Sequence, residues 1–150
     1  MPTPSWRTSA PSPQTYRICS DAIWDNKPWL PAQVSNVIEF GGKVIGRQQI
    51  ADLHTTEFRM MLTLMVQLMD EIPEASNIVF LTNAAYIQNF DREPGPKSAN
   101  PDLIRQCIES KKRHSSVSVK IVPYHKSPLL IETHDTSTEA MKEIRLTFSS

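Results

Sequence analysis

The sequence predicts an α/β domain of the three-layer kind, one mixed five-stranded sheet with helices on both faces, and three observations predict it. Two β-branched runs, Val34–Phe40 and Val44–Ile50, are joined by Gly41-Gly42, the dipeptide that supplies positive φ to a tight hairpin. Phe58, Met61, Leu62, Met65, Met69 and Ile72 recur at helical spacing, and Met60, Leu64 and Leu68 add a second apolar face, so this helix is buried. Ile78-Val79-Phe80-Leu81 is a continuous apolar run of strand length, the mark of a strand covered on both faces.

The elements follow in order. Residues 1–13 hold four prolines, three serines and two threonines, a composition that cannot offset the entropy of ordering, so they read as a tail. The domain spans 14–146, with 147–150 as a C-terminal tail. Tyr16-Arg17-Ile18-Cys19 alternates as a first strand that ends at Ser20-Asp21. Trp24, Pro28, Trp29 and Pro31 mark a loop, and the hairpin strands come next. Thr55 and Thr56 can cap the central helix. After the apolar strand, Thr82-Asn83 precede a short helical stretch from Ala84 to Phe90, with Asn83 as an Asx-type cap. Residues 91–101, with three prolines and a glycine, form a loop. Asn100 then caps a helix over Pro101–Lys112, since proline suits a first helical position. Val117–Val122 alternates as the last strand, a Pro- and Ser-containing loop follows, and Asp135 with Thr136 opens a final helix through Ile144. The order is β-β-β-α-β-α-α-β-α.

A chain of 150 residues fits one domain. Sixteen Lys and Arg balance sixteen Asp and Glu, so no global field draws the protein to nucleic acid or an anionic membrane. The balance hides an asymmetry: residues 51–91 hold six acids and one base, whereas 92–128 hold eight bases and three acids. Cys19 and Cys107 form no CxxC pair, which argues against a disulfide scaffold or a zinc module. No stretch is long and apolar enough for a membrane span and no secretory leader is visible, so an intracellular setting, nuclear or cytoplasmic, is expected.

Position singles out certain acids. Asp21 ends the first strand, Glu57 sits in the first turn of the central helix, Asn83 follows the fourth strand and Asp135 starts the last helix. With them go the hairpin VIEFGGKVIG, the helix TTEFRMML, the strand VFLTNAAYIQNF, and YHKS, whose histidine stands ten residues before Asp135. In this order the chain resembles the ribonuclease H family over Gln14 to Ile144. The strand piece is the most specific: Thr82, Tyr86 and Ile87 stand where the family's Thr-Asp-Ser-x-Tyr-Val motif expects Thr, Tyr and an apolar residue, with Asn83 and Ala84 in place of Asp and Ser.

The resemblance implies hydrolysis of the RNA strand of an RNA/DNA hybrid by two divalent cations, Mg²⁺ or Mn²⁺, held by carboxylates. Carried over by position, Asp21 bridges the metals, Glu57 and Asp135 hold one each, and His125 assists proton transfer or product release from its loop. The departures imply a weakened or dead site. Asn83 has the shape of aspartate without its charge; Asp21-Ala22-Ile23 stands for the family's Asp-Gly-Ser; and Pro128-Leu129-Leu130-Ile131 replaces the usual small and amide residues. Asp91 is a candidate substitute for the missing ligand. Lys111, Lys112, Arg113 and Lys120 are the expected phosphate contacts for a hybrid or for double-stranded RNA. His134 reads as part of the helix start, and the Trp24–Trp29 loop is the expected surface should the domain be a pseudoenzyme serving a protein partner.

Overall fold

The computed structural model describes residues 15–25, 27, 29–53 and 56–149, so the predicted tail 1–13 and the second capping threonine, Thr55, lie outside the described residues. Five strands form one sheet: β1 (Thr15–Ile23), β2 (Ala32–Phe40), β3 (Lys43–Asp52), β4 (Asn77–Thr82) and β5 (Ser116–Ile121). Their order across the sheet is β3-β2-β1-β4-β5. The first three strands meander antiparallel, whereas β1, β4 and β5 run parallel. The mixed α/β architecture is the one the sequence predicts. Gly41 and Gly42 take φ of 61° and 80° at the hairpin, the conformation that the turn demands and that a side chain disfavours.

Helices α1 (Glu57–Glu71) and α2 (Pro101–Lys111) cover one face, and α3 (Pro128–Ser149) covers the other. Alternation along each strand sorts the side chains. Ile18, Val34, Ile78, Phe80 and Val117 meet the methionine-rich α1, while Cys19, Val37 and Leu81 meet Leu130 of α3. Both cysteines are buried free thiols, raised by burial to about 11 for Cys19 and about 12 for Cys107, so neither is a nucleophile near neutral pH. No described helix is long and apolar enough to cross a membrane.

Local structure departs from the sequence reading in four places. β1 runs on to Ile23, so Asp21 lies inside the strand, paired with Ser35 of β2. The stretch after β4 is a 3₁₀ turn over Ala85–Ile87 and not a longer helix. Asn100 precedes α2 with φ of 54° and makes no side-chain cap; its Oδ1 accepts from Arg59 instead. The last helix begins at Pro128, well before Asp135, and continues through 147–149.

Candidate functional site

The parallel arrangement of β1, β4 and β5 gathers their C-terminal ends at one rim of the sheet, the usual place for a site in an open α/β fold. Asp21 reaches this rim almost fully buried, at 4% exposure. Its Oδ2 faces Nδ1 of His134, on α3, at 3.4 Å. Burial raises the pKa of Asp21, and the imidazole beside it works in the opposite direction. Ser137, one turn further along α3, shares a 2.8 Å hydrogen bond with Ser35 and donates at 3.4 Å to the backbone oxygen of Asp21. Those contacts seat α3 across β1 and β2.

Glu57 opens α1 behind the N-cap Thr56, whose Oγ1 accepts from the backbone of Arg59 at 3.1 Å. Its Oε1 accepts from the backbone N–H of Trp24 at 2.9 Å and its Oε2 from the hydroxyl of Tyr86 at 3.4 Å. Burial raises Glu57; the two donors oppose that rise and the charge of Asp21 adds to it. Tyr86 is raised as well, by burial first and then by Glu57. Asp21, Glu57 and Tyr86 therefore share one crevice, closed on one side by an edge-to-face contact of Phe58 with Tyr86 at 5.6 Å.

Asn83 follows β4. It is exposed to solvent one residue past the end of the strand, at the same rim as Asp21. The expected capping role falls elsewhere: Oγ1 of Thr82 accepts from the N–H of Ala84 at 3.2 Å, and the 3₁₀ turn has no side-chain cap of its own. His125 lies exposed in a 3₁₀ turn over Tyr124–Lys126, at the same rim, where Val122 bonds to Thr82. Asp135 is exposed and opens onto a groove with Gln49, Glu139 and Glu143 at the β3 edge. The residue α3 presents to Asp21 is His134.

Solved structures share this fold. The N-terminal ribonuclease H domain of Rv2228c from Mycobacterium tuberculosis, studied as a fusion with maltose-binding protein, superposes with a TM-score of 0.64 at 14% identity, covering 79% of this chain and 95% of that one. Ribonuclease H1 of Halobacterium salinarum gives 0.60 at 12%, over 84% and 98% of the two chains. LC11 ribonuclease H1, isolated from compost, gives 0.66 at 14%, over 86% and 96%. The fold is ribonuclease H-like. No protein-family model and no curated protein matches the chain.

Within this ribonuclease H-like domain the predicted basic residues divide. α2 ends at Lys111, and β5 then starts at Ser116 beside Asn77 and Thr15, so Lys111, Lys112 and Arg113 stand at the opposite end of the parallel strands from Asp21. Each is engaged: Lys111 with Asp91, Lys112 with Glu109 at 2.9 Å, and Arg113 with Asp70 and Glu74 at 3.1 and 3.2 Å. The same bond occupies Asp91, which is thereby removed as a substitute ligand. Lys120 differs. It is exposed and level with Leu81 and Cys19, close to the crevice.

A two-cation centre needs several carboxylate oxygens. Here Asp21 and Glu57 converge, Asn83 contributes an amide, both oxygens of Glu57 already accept hydrogen bonds, and Asp135 opens onto another groove. Among the described residues no group of three His, Cys, Asp or Glu side chains is arranged to hold a metal ion. The donor set does not fit a two-metal centre. In the sequence Tyr86 stood out only as a motif match and His134 only as part of the helix start, and the Ser35–Ser137 pair gave no signal. The usable signal is the spacing of Leu130, His134, Ser137 and Met141, a single helical stripe.

Proposed function

We propose that this ribonuclease H-like domain binds nucleic acid of A-form geometry, an RNA/DNA hybrid or double-stranded RNA, and hydrolyses it weakly or not at all. The observation that carries the reading is the crevice itself, which keeps two of the four acidic positions that the resemblance implies and turns His134 toward Asp21. Cations remain around it for a phosphate backbone: Lys27 in the β1–β2 loop, Lys120 on β5 and Lys126 in the turn that follows are all exposed. Lys27 stands 5.9 Å over the ring of Trp29, which is 59% exposed, an aromatic surface suited to sugar or base contact.

The test is anisotropy with a labelled hybrid in EDTA across a salt series, beside a cleavage assay in Mn²⁺. Affinity that falls as salt rises, without cleavage, supports the reading. Absence of binding at low salt refutes it and leaves a protein-interaction role. Mn²⁺-dependent cleavage abolished by Asp21→Asn shows an active two-metal nuclease instead.

A further inference from the structure

Strand β3 ends the sheet, so no described strand lies along its outer side. Its C-terminal half is flanked by a groove on each face. Toward α1, Val34, Ile50, Met60 and Leu64 form the apolar floor of a groove of about 220 Å³, whose polar rim carries Asp52, Arg59, Thr63 and Gln67. Toward α3, Gln49 borders a groove of about 410 Å³ whose other wall carries Asp135, Glu139 and Glu143. These three acids are spaced by four residues and therefore stack on one side of the helix. Lys142 offsets Glu139 at 3.2 Å, and three carboxylates against one ammonium leave that wall negative. Ile45 and Leu53, 57% and 43% exposed, extend the apolar character of the edge.

We infer that β3 is a docking edge for an extended segment of a protein partner in which apolar residues alternate with Lys or Arg. An added strand sends successive side chains to opposite faces of the sheet, so one set enters the apolar groove and the other meets the acids of α3. Main-chain bonds to β3 supply the attachment, and the two unlike grooves supply the selectivity. Nucleic acid is repelled by the acidic wall. The inference uses none of the cations assigned to nucleic acid, so its failure leaves that assignment standing.

The probe is an acetylated, amidated octapeptide of alternating Lys and Val, titrated against the whole chain by fluorescence anisotropy, with amide hydrogen exchange locating it. The expected result is binding at least about tenfold tighter than a peptide of four Lys followed by four Val, with new protection in β3. Reversing the wall with Glu139→Lys and Glu143→Lys, or filling the apolar groove with Thr63→Trp at an exposed helix position, should each weaken binding about tenfold. Equal affinity for the two peptides overturns the inference, as does an alternating Glu and Val peptide that binds as well, or protection confined to other elements. Concentration-dependent dimerisation in sedimentation that protects the same β3 amides overturns it in favour of self-pairing.

Discussion

Restoring a carboxylate at position 83 tests the crevice directly. Asn83 is exposed at the rim where β4 ends and Asp21 meets Glu57, so Asn83→Asp adds a negative charge on that side of the crevice without disturbing the interior. A divalent ion about 4 Å from the new carboxylate gains about 2 kcal/mol at the aqueous limit, twice the roughly 1 kcal/mol of two unit charges, which tightens binding about 30-fold. The aqueous limit is the appropriate one because residue 83 faces solvent. Without metal the same change costs about 0.8 kcal/mol for each like charge about 5 Å away, which lowers Tm by a few degrees. Calorimetric titration with Mn²⁺ reads the first effect and differential scanning calorimetry the second. The wild-type chain should show weak or no Mn²⁺ binding, the variant a saturable isotherm, and added Mn²⁺ should recover the lost stability. An isotherm unchanged by Asn83→Asp refutes the placement of residue 83 at the crevice. A tight wild-type isotherm that Asp135→Ala abolishes refutes the seating of α3.

Three further outcomes follow. Asp21 and Glu57 both have folded pKa values raised by burial, so the folded chain keeps protons that the unfolded chain has lost; their contribution to stability is full below the ordinary carboxylate range and is lost as pH rises through the raised values. Denaturant titrations over that window should show Asp21→Asn gaining on wild type as pH rises, and a difference independent of pH contradicts the burial argument. Lys120→Ala should flatten the log K against log[salt] slope for a hybrid by about 0.7 to 0.9, whereas Lys112→Ala with Arg113→Ala should leave it unchanged and reduce thermal stability by about 1 kcal/mol or less. Leu130→Ala, at a side chain 1% exposed on the sheet-facing side of α3, should cost about 2–5 kcal/mol in urea unfolding, and a loss under about 1 kcal/mol means that α3 is loosely held.

Much of the fold was legible because its signals are local. The Gly41-Gly42 hairpin, the Phe58–Ile72 helical period and the Ile78–Leu81 run each match the observed element. The crevice was half legible: Asp21 and Glu57 meet as their strand and helix positions imply. The error at Asp135 has a physical cause. Proline at 128 reads as a loop residue, yet here it occupies the first helical position, where its missing N–H costs nothing, and Ser127 accepts from Leu130 at 3.4 Å. Starting α3 there makes Asp135 an interior helical residue, and its direction is then set by the buried stripe of Leu130, Thr133, Ser137 and Met141. Two members of that stripe are hydroxyls, so apolar periodicity could not reveal it. The basic run at 111–113 shows the same limit: composition shows charge, but the ion pairs of Lys111 with Asp91 and of Arg113 with Asp70 and Glu74 are tertiary.

The seating of α3 also sets a timetable for synthesis. Arg145 grips Asp25 across 120 residues with two bonds of 2.6 and 2.7 Å, and Ser137 reaches Asp21 across 116. At about 5–20 residues per second, the helix leaves the ribosome on the order of ten seconds after the strand it covers. The α1 face has both its helices by then. The opposite face, with Cys19, Val37 and Leu81, has only water or a chaperone until α3 arrives. A nascent chain thus carries one closed and one open side, and docking of α3 is the separate late step that removes an adhesive surface.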